Sequence, residues 1–509
     1  MIDAFLIIVV LVLMVILCVI NIYILAHYSH PLESKFGESL FAKIIIVVAL
    51  LLPEVEILML PLDVSNQQEG GNLDMKGFWY TMTMTSMIFV FLILPIAYFY
   101  YETEGEELKS RIWYAAKMQF FFLLISSIIV FVSYAALAYA NIPLDDITCT
   151  LPADPTTTSC DGSTVLQDFD STQFSTDEGC SRTDQSFKVK VSFAVYFVGL
   201  MAFIGSWVLI IFLGVGLSAV PIDLIIEFRT RPKRISENKF NNRRNQLLKH
   251  VKGLRQEGKR LEGIKEVADR GKGWKGFKER RVFKRDLTKF EAKCLIAEKE
   301  FMILEKISNL KKTEPWLYYL KLFAGCVLVI LSFVWFLHIF LWVLIKPNGN
   351  QVHPFLNSFL EGLRSGHVEF LSTAVFAAIA LYLLWCTLKG NIKFGLRFFC
   401  FTLYPLKPNE TFLSSLMFNA WMINVWAFAL LQYLTLNFSM FARMTDAYLI
   451  FILQIENTWF FKWFYKNEIF TWILIIWIVL AFFYLIFKPT ERLSLEDQVR
   501  NKDLEANRN

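Results

Sequence analysis

Glu54 and Glu56 sit in an otherwise apolar stretch directly after Pro53, and Asp63 follows Pro61 at its end. An ionised group at hydrocarbon depth costs at least about 2.5 kcal/mol by insertion scales, so these carboxylates are candidates for binding a polar ligand, a cation or a proton. Pro53 and Pro61 each lack an N–H and release the carbonyl one turn earlier. A broken helix with carboxylates beside the break is how transporters often build a site. Glu54 and Glu56 are two residues apart and point to different sides of a helix, so they do not chelate one ion together. The structural alternative is that they are protonated, or paired with Lys117 or His338. Pro95 interrupts a third apolar stretch, and Val220-Pro221-Ile222-Asp223-Leu224 closes a later one. With Asp63 and Asp223 at opposite ends of their spans, the two Pro-x-Asp elements are what an inverted repeat leaves; a simple helix-ending signal explains them as well.

Other chemistry is sparse. Cys149, Cys160 and Cys180 lie in an acidic, Thr- and Asp-rich loop, which fits an oxidising compartment and one disulfide of undetermined pairing. That loop contains no His, which argues against zinc. Asn437-Phe438-Ser439 is a glycosylation sequon on the expected outer face, and Asn409-Glu410-Thr411 is one on the inner face. Gly271-Lys-Gly-Trp-Lys-Gly276 has the G-x-G-x-x-G form, but no strand precedes it and no βαβ unit surrounds it. Trp274-Lys-Gly-Phe277 has the W-x-x-F form of some endocytic adaptor ligands, and an aromatic pair packed on a helix explains it equally. There is no Walker loop, nucleophile elbow or H-E-x-x-H, and the six His are scattered, so the expectation is a non-enzyme without cofactor, metal site or nucleic-acid partner.

The elements that position these residues are long. Apolar residues make up 55% of the 509-residue chain against 19% charged. Stretches of 18 or more nearly uncharged residues recur, the length that crosses a core of roughly 30 Å, and backbone satisfaction in lipid makes them helices. Helices are expected over about 4–26, 41–63, 79–101, 113–140, 189–226, 316–347, 367–388, 411–434 and 467–487, an all-α polytopic fold with about nine spans. The first reads as a signal anchor with an outside amino terminus. Residues 441–465 are too apolar for a plain loop, and their aromatic density suits an interfacial or re-entrant helix, a tenth crossing being the competing possibility.

Lys and Arg resist translocation, and their distribution sets orientation. Segments 27–40, 102–112, 227–315, 389–410 and 489–509 hold 38 of them, and the alternate segments 1–3, 63–77, 141–187, 348–366 and 435–465 hold 5. The first set is therefore expected in the cytosol, together with the carboxyl-terminal tail 489–509. Segment 227–315 carries a net +14 and segment 141–187 a net −8. In 227–315, Leu247, Val251, Leu254 and Leu261 form one apolar seam, and Leu287, Phe290, Cys294, Ala297, Phe301 and Leu304 another. With a Gly-rich turn between them, the seams predict an antiparallel coiled-coil hairpin. Its basic exterior suits a solvated face, anionic membrane lipids or a partner protein. The organisation is thus spans one to five over 1–226, the hairpin 227–315, spans six to nine over 316–488, and the tail.

Three motifs carry a resemblance: Leu60-Pro-Leu-Asp-Val-Ser-Asn66, Pro95-Ile-Ala-Tyr-Phe-Tyr-Tyr-Glu-Thr-Glu-Gly105, and Gly214-Val-Gly-Leu-Ser-Ala-Val-Pro-Ile-Asp-Leu224. Their order, with nine spans and a charged hairpin after the fifth, resembles the limb-region membrane protein family over roughly the first 320 residues. That family includes the lipocalin-interacting membrane receptors and the lysosomal cobalamin escort. The resemblance implies a receptor for endocytosed ligands, or an escort of an ABC transporter exporting cobalamin, in endosomal, lysosomal or plasma membrane. Glu54 and Glu56 are outside the family pattern, and the cysteine-rich insert of the cobalamin escort is missing. Two other classes compete: a transporter or channel with Glu54, Glu56 and Asp63 near the path, and a structural organiser of a specialised membrane.

Overall fold

The structure is a computed structural model that describes residues 2–30, 39–68, 73–103, 108–149, 180–229, 237–270, 316–346, 351–366, 369–394, 396–398, 401–403, 406 and 411–487. It also describes 287, 290, 293, 294, 297, 298, 300–302, 304 and 305. Cys160, the Asn409 sequon, the glycine-rich turn 271–276, the Trp274–Phe277 pair and the tail 489–509 lie outside them.

The helices are α1 (Ile2–Tyr28), α2 (Leu40–Gln68), α3 (Met75–Glu102), α4 (Leu108–Leu137), α5 (Phe193–Arg229), α6 (Glu237–Arg270) and α7 (Trp316–Leu344). They continue with α8 (Phe355–Ser365), α9 (Glu369–Phe394), α10 (Leu413–Asn437), the turn α11 (Asp446–Tyr448), α12 (Trp459–Lys466) and α13 (Ile469–Phe487). Nine helices among the described residues are long and apolar enough to cross a bilayer: α1–α5, α7, α9, α10 and α13. The protein is an all-α polytopic membrane protein, and each expected span is present within a few residues of its place. No described helix makes a tenth crossing over 441–465; that stretch holds α11, a π turn (Leu449–Gln454) and α12.

Two segments read as loops are ordered differently. The ends of 141–187 pair as an antiparallel ribbon, β1 (Tyr139–Cys149) with β2 (Cys180–Lys190). Val191 N donates to Ala138 O at its base. Ile142, Ile147 and Thr148 in β1 and Thr183, Phe187 and Val189 in β2 favour extended backbone, and α4 stops at Leu137 and α5 starts at Phe193 instead of running on. Within 348–366, α8 turns Leu356 and Leu360 inward and leaves Glu361 and Arg364 half-exposed. A short pair, β3 (Leu396–Phe398) and β4 (Phe401–Leu403), follows α9.

The chain forms two compact units. The first comprises Met1–Ile211, His338–Leu384 and Gly395–Ile473, and the second Phe212–Leu337, Trp385–Phe394 and Leu474–Asn509. In the first, α10 is the central helix: 78% of its apolar window is buried, against 6% for α4, whose exposed apolar surface suits lipid. Leu413, Met417 and Ala420 of α10 meet Ala42, Ile46 and Ala49 of α2 and Leu94 of α3 in one cluster. In the second unit α6 packs on the described positions between 287 and 305. Leu247, Leu254, Ala297 and Leu304 form the cluster, with Phe290 and Cys294 against it. Lys293 pairs with Glu257 at 2.9 Å, and the Phe290 ring lies beside Gly258. Val251 and Phe301, assigned to the seams by spacing, are exposed instead.

Candidate functional site

The carboxylates of α2 are buried and separately engaged. Glu54 Oε2 accepts from Asn21 Nδ2 of α1 at 2.7 Å, and Glu56 Oε1 accepts from Ser86 Oγ of α3 at 2.6 Å. They face different neighbours, as their two-residue spacing requires. Neither pairs with Lys117 or His338; an amide and a hydroxyl hold them. Asp63 Oδ2 accepts from Trp79 Nε1 at 2.8 Å and from the Ala447 backbone N–H at 3.0 Å, while its Oδ1 makes no hydrogen bond. Asp63 thus ties α2, α3 and α11 together. Nearby, Asn66 braces Leu73 through both its amide and its carbonyl oxygen. The first family motif is a clamp on the α2–α3 turn.

Pro53, Pro95 and Pro221 free carbonyls that find distant partners. Pro53 leaves Ala49 O without its usual donor, and Asn424 Nδ2 of α10 donates to it at 2.7 Å. Pro95 frees Phe91 O, which accepts from Gln119 Nε2 of α4 at 2.7 Å. The chain widens to a π turn over Phe89–Ile93, Leu94 N reaching back to Phe89 O, and the displaced Val90 O accepts from Trp421 Nε1 at 2.8 Å. In the second unit Pro221 frees Leu217 O, which accepts from Ser332 Oγ at 2.9 Å. Water is absent from the hydrocarbon core, so a polar side chain from a neighbouring span takes its place.

The third motif is equally local in its purpose. Asp223 is half-buried and pairs with Lys389 at 3.2 Å and with Lys393, both on α9. A Cβ on Gly216 would lie 1.7 Å from Cys386 O, and one on Gly390 1.9 Å from Phe212 O, so α5 and α9 approach as only glycine permits. Asp63 clamps a turn whereas Asp223 binds two lysines, and the likeness of the two Pro-x-Asp elements ends at their sequence.

At the end of the first unit that carries the ribbon, a cavity of about 320 Å³ opens between α7, α10, α11 and α12. Lys346, Lys462 and Lys466 line it with Glu456 and Glu468, over Trp342, Ile452 and Leu436. Lys346 pairs with Glu468 at 3.0 Å. Burial pushes Glu456 up to about 7, Glu468 adding to the rise and Lys346 opposing it. Burial also raises Glu468, against the pull of Lys346. Tyr465 is buried, with Ser206 and Gln432 beside its hydroxyl. Beside the cavity His338 accepts from Leu356 N at Nδ1 and therefore donates from Nε2 to Asn437 O at 3.1 Å.

Asn437 itself is fully buried, its Nδ2 donating to Tyr433 O at 2.7 Å. Its side-chain amide thus closes the end of α10. The Phe residues of α12 also turn inward, with Phe460, Phe461 and Phe464 around Phe203, while Trp459 stacks on Tyr139 of the ribbon. Cys149 and Cys180 are directly opposed in the β1–β2 register. Among the described residues no three His, Cys, Asp or Glu converge to hold a metal ion.

Spacing and motif missed the lined cavity, because Lys346 meets Glu468 across 122 positions of the chain. The one available signal was Lys462 and Lys466, four apart in an aromatic run. Asn21, Ser86, Gln119, Ser332 and Asn424 were likewise unmarked, and their signal was a polar side chain at hydrocarbon depth.

Nine spans, prolines capped across helices and acidic clamps at span ends define a polytopic helical membrane protein with built-in irregular helices. The chain belongs to the LMBR1-like membrane protein family, whose profile matches residues 6–273. It is 29% identical over 522 residues to a LIMR family protein of Dictyostelium discoideum, covering 97% of this chain and 99% of the relative. Relatives of the same name in rice and Arabidopsis thaliana are 26% and 27% identical, covering 97% and 94% of this chain and 99% and 95% of their own. The likeness therefore extends through the last three spans, beyond the region the motifs carry. No solved structure gives a significant match.

Proposed function

We propose that this protein is a non-enzymatic membrane receptor or transporter-accessory protein, with the ribbon end facing ligand and the basic 227–315 segment facing cytosolic partners. In this reading the amino terminus is outside or luminal and the tail is cytosolic, in an endosomal, lysosomal or plasma membrane. The observation that carries it is the separate engagement of Glu54, Glu56 and Asp63 by three different neighbours. Carboxylates spent one by one on holding helices do not line a common path. The resemblance to cobalamin escorts suggests an ABC transporter as one partner, although a cavity of about 320 Å³ fits a small organic molecule and not a corrin.

Native purification of the full chain with mass spectrometry tests the reading. A stoichiometric membrane or cytosolic protein should accompany it, and reversing charges in 237–270 should release that partner. A second reading, transport by the chain itself, draws on the unsatisfied Asp63 Oδ1. It predicts solute or ion flux in liposomes holding the purified protein alone, abolished by Glu54→Gln. Such flux, with no co-purifying protein, would overturn the receptor reading.

A further inference from the structure

Lys462 and Lys466 lie four residues apart on α12, so both ammonium groups stand on the same helix face and both line the cavity at the ribbon end. Neither has an ion-pair partner among the described residues, while Glu468, which lines the same cavity, pairs with Lys346. Like charges at this spacing destabilise a helix, a cost that a bound anion would offset. The indole of Trp342 and the side chains of Ile452 and Leu436 supply an apolar floor. Two lysines without an ion-pair partner among the described residues and an apolar floor match one kind of guest.

We propose that this cavity binds a small organic anion, a phosphate monoester or carboxylate with a flat or apolar body, through Lys462 and Lys466. The inference deepens the receptor reading by naming a ligand class, but it stands on the cavity alone. The anionic group lies between the two ammonium groups, and its body lies over Trp342. Glu456 sets the strength of capture. The charged and titratable groups facing it are Glu468 and Lys346, with Tyr448, Tyr465, Lys462 and Lys466 around the same cavity. With Glu456 neutral, three ammonium groups face one carboxylate; once it ionises they face two. Burial brings that change to about pH 7, so anion binding weakens as pH rises through neutrality.

The test uses the full chain in phosphatidylcholine nanodiscs and 1-naphthoate as the fluorescent probe, a carboxylate whose charge is the same at both pH values, followed by anisotropy at pH 6.0 and 8.0. Binding should saturate and be tighter at pH 6.0. Lys462→Gln with Lys466→Gln should weaken it about tenfold or more, as expected for lost charge-assisted hydrogen bonds. Lys462→Arg with Lys466→Arg should retain it, which separates charge from fold. Glu456→Gln should bind equally at both pH values. Adding phosphatidic acid to the nanodisc distinguishes the source: displacement of the probe means a lipid headgroup, and no displacement means a soluble anion. The proposal is overturned if the probe does not saturate, or if the glutamine pair binds like the parent. Because this readout needs no partner protein, its failure is separable from that of the receptor reading.

Discussion

At the scale of single residues, the prolines and their caps make the sharpest claims. Asn424→Ala leaves Ala49 O buried and unsatisfied, at a cost of about 1–3 kcal/mol. Pro53→Ala restores the N–H that would serve the same carbonyl. The two changes should therefore couple: thermal unfolding in detergent should show Asn424→Ala costing clearly less when Pro53 is already Ala. Additivity within about 0.5 kcal/mol would remove Asn424 from this role. Glu456 makes a second claim. Its folded value of about 7 lies above its ordinary 4.5, so the folded protein holds an extra proton between these values. Stability then falls as pH rises through that window, because the native state binds more protons than the unfolded chain. Glu456→Gln should flatten the fall in Tm between pH 5 and 7.5, and an unchanged slope in the variant would contradict the burial of this carboxyl.

Elements explain why the family motifs look as they do. Gly214-Val-Gly-Leu-Ser-Ala-Val-Pro-Ile-Asp-Leu224 combines a close approach at Gly216, a freed carbonyl at Leu217 and an ion-paired Asp223, each serving the packing of α5 against its neighbours within the second unit. Gly216→Ala should lower the yield of folded protein and its Tm sharply, since the new Cβ meets Cys386 O. Gly253→Ala, at an open position of α6, should leave Tm unchanged or raise it slightly, because alanine is the better helix former. Equal effects at the two positions would dismiss the close approach. In the ribbon, the register that opposes Cys149 and Cys180 predicts a disulfide between them, with Cys160 left over. Non-reducing gels after cleavage within 151–179 should keep the two halves joined, and Cys149→Ser should separate them. If Cys160→Ser separates them instead, the register is wrong. The spans were legible in the sequence because lipid allows so few backbone solutions. The ribbon was not, because two strands that need each other leave only a weak local signal beside long helices. The carboxylates of α2 were visible as chemistry, yet their partners Asn21, Ser86 and Trp79 are fixed only by tertiary packing.

For the molecule as a whole, the proposed receptor function rests on two segments of opposite charge, a net +14 over 227–315 and a net −8 over 141–187. The receptor reading proposed above assigns them to opposite sides of the bilayer, one surface for ligand and one for partners. The most direct measurement is labelling with a membrane-impermeant maleimide in sealed, right-side-out vesicles. A single cysteine is placed at Lys188 on the ribbon or at Lys259 on α6, in a chain otherwise stripped of reactive cysteines. The account predicts that the cysteine at Lys188 reacts at once and that the one at Lys259 reacts only after the vesicles are opened. Reaction of both from the same side would contradict the nine-span arrangement and the two surfaces built on it.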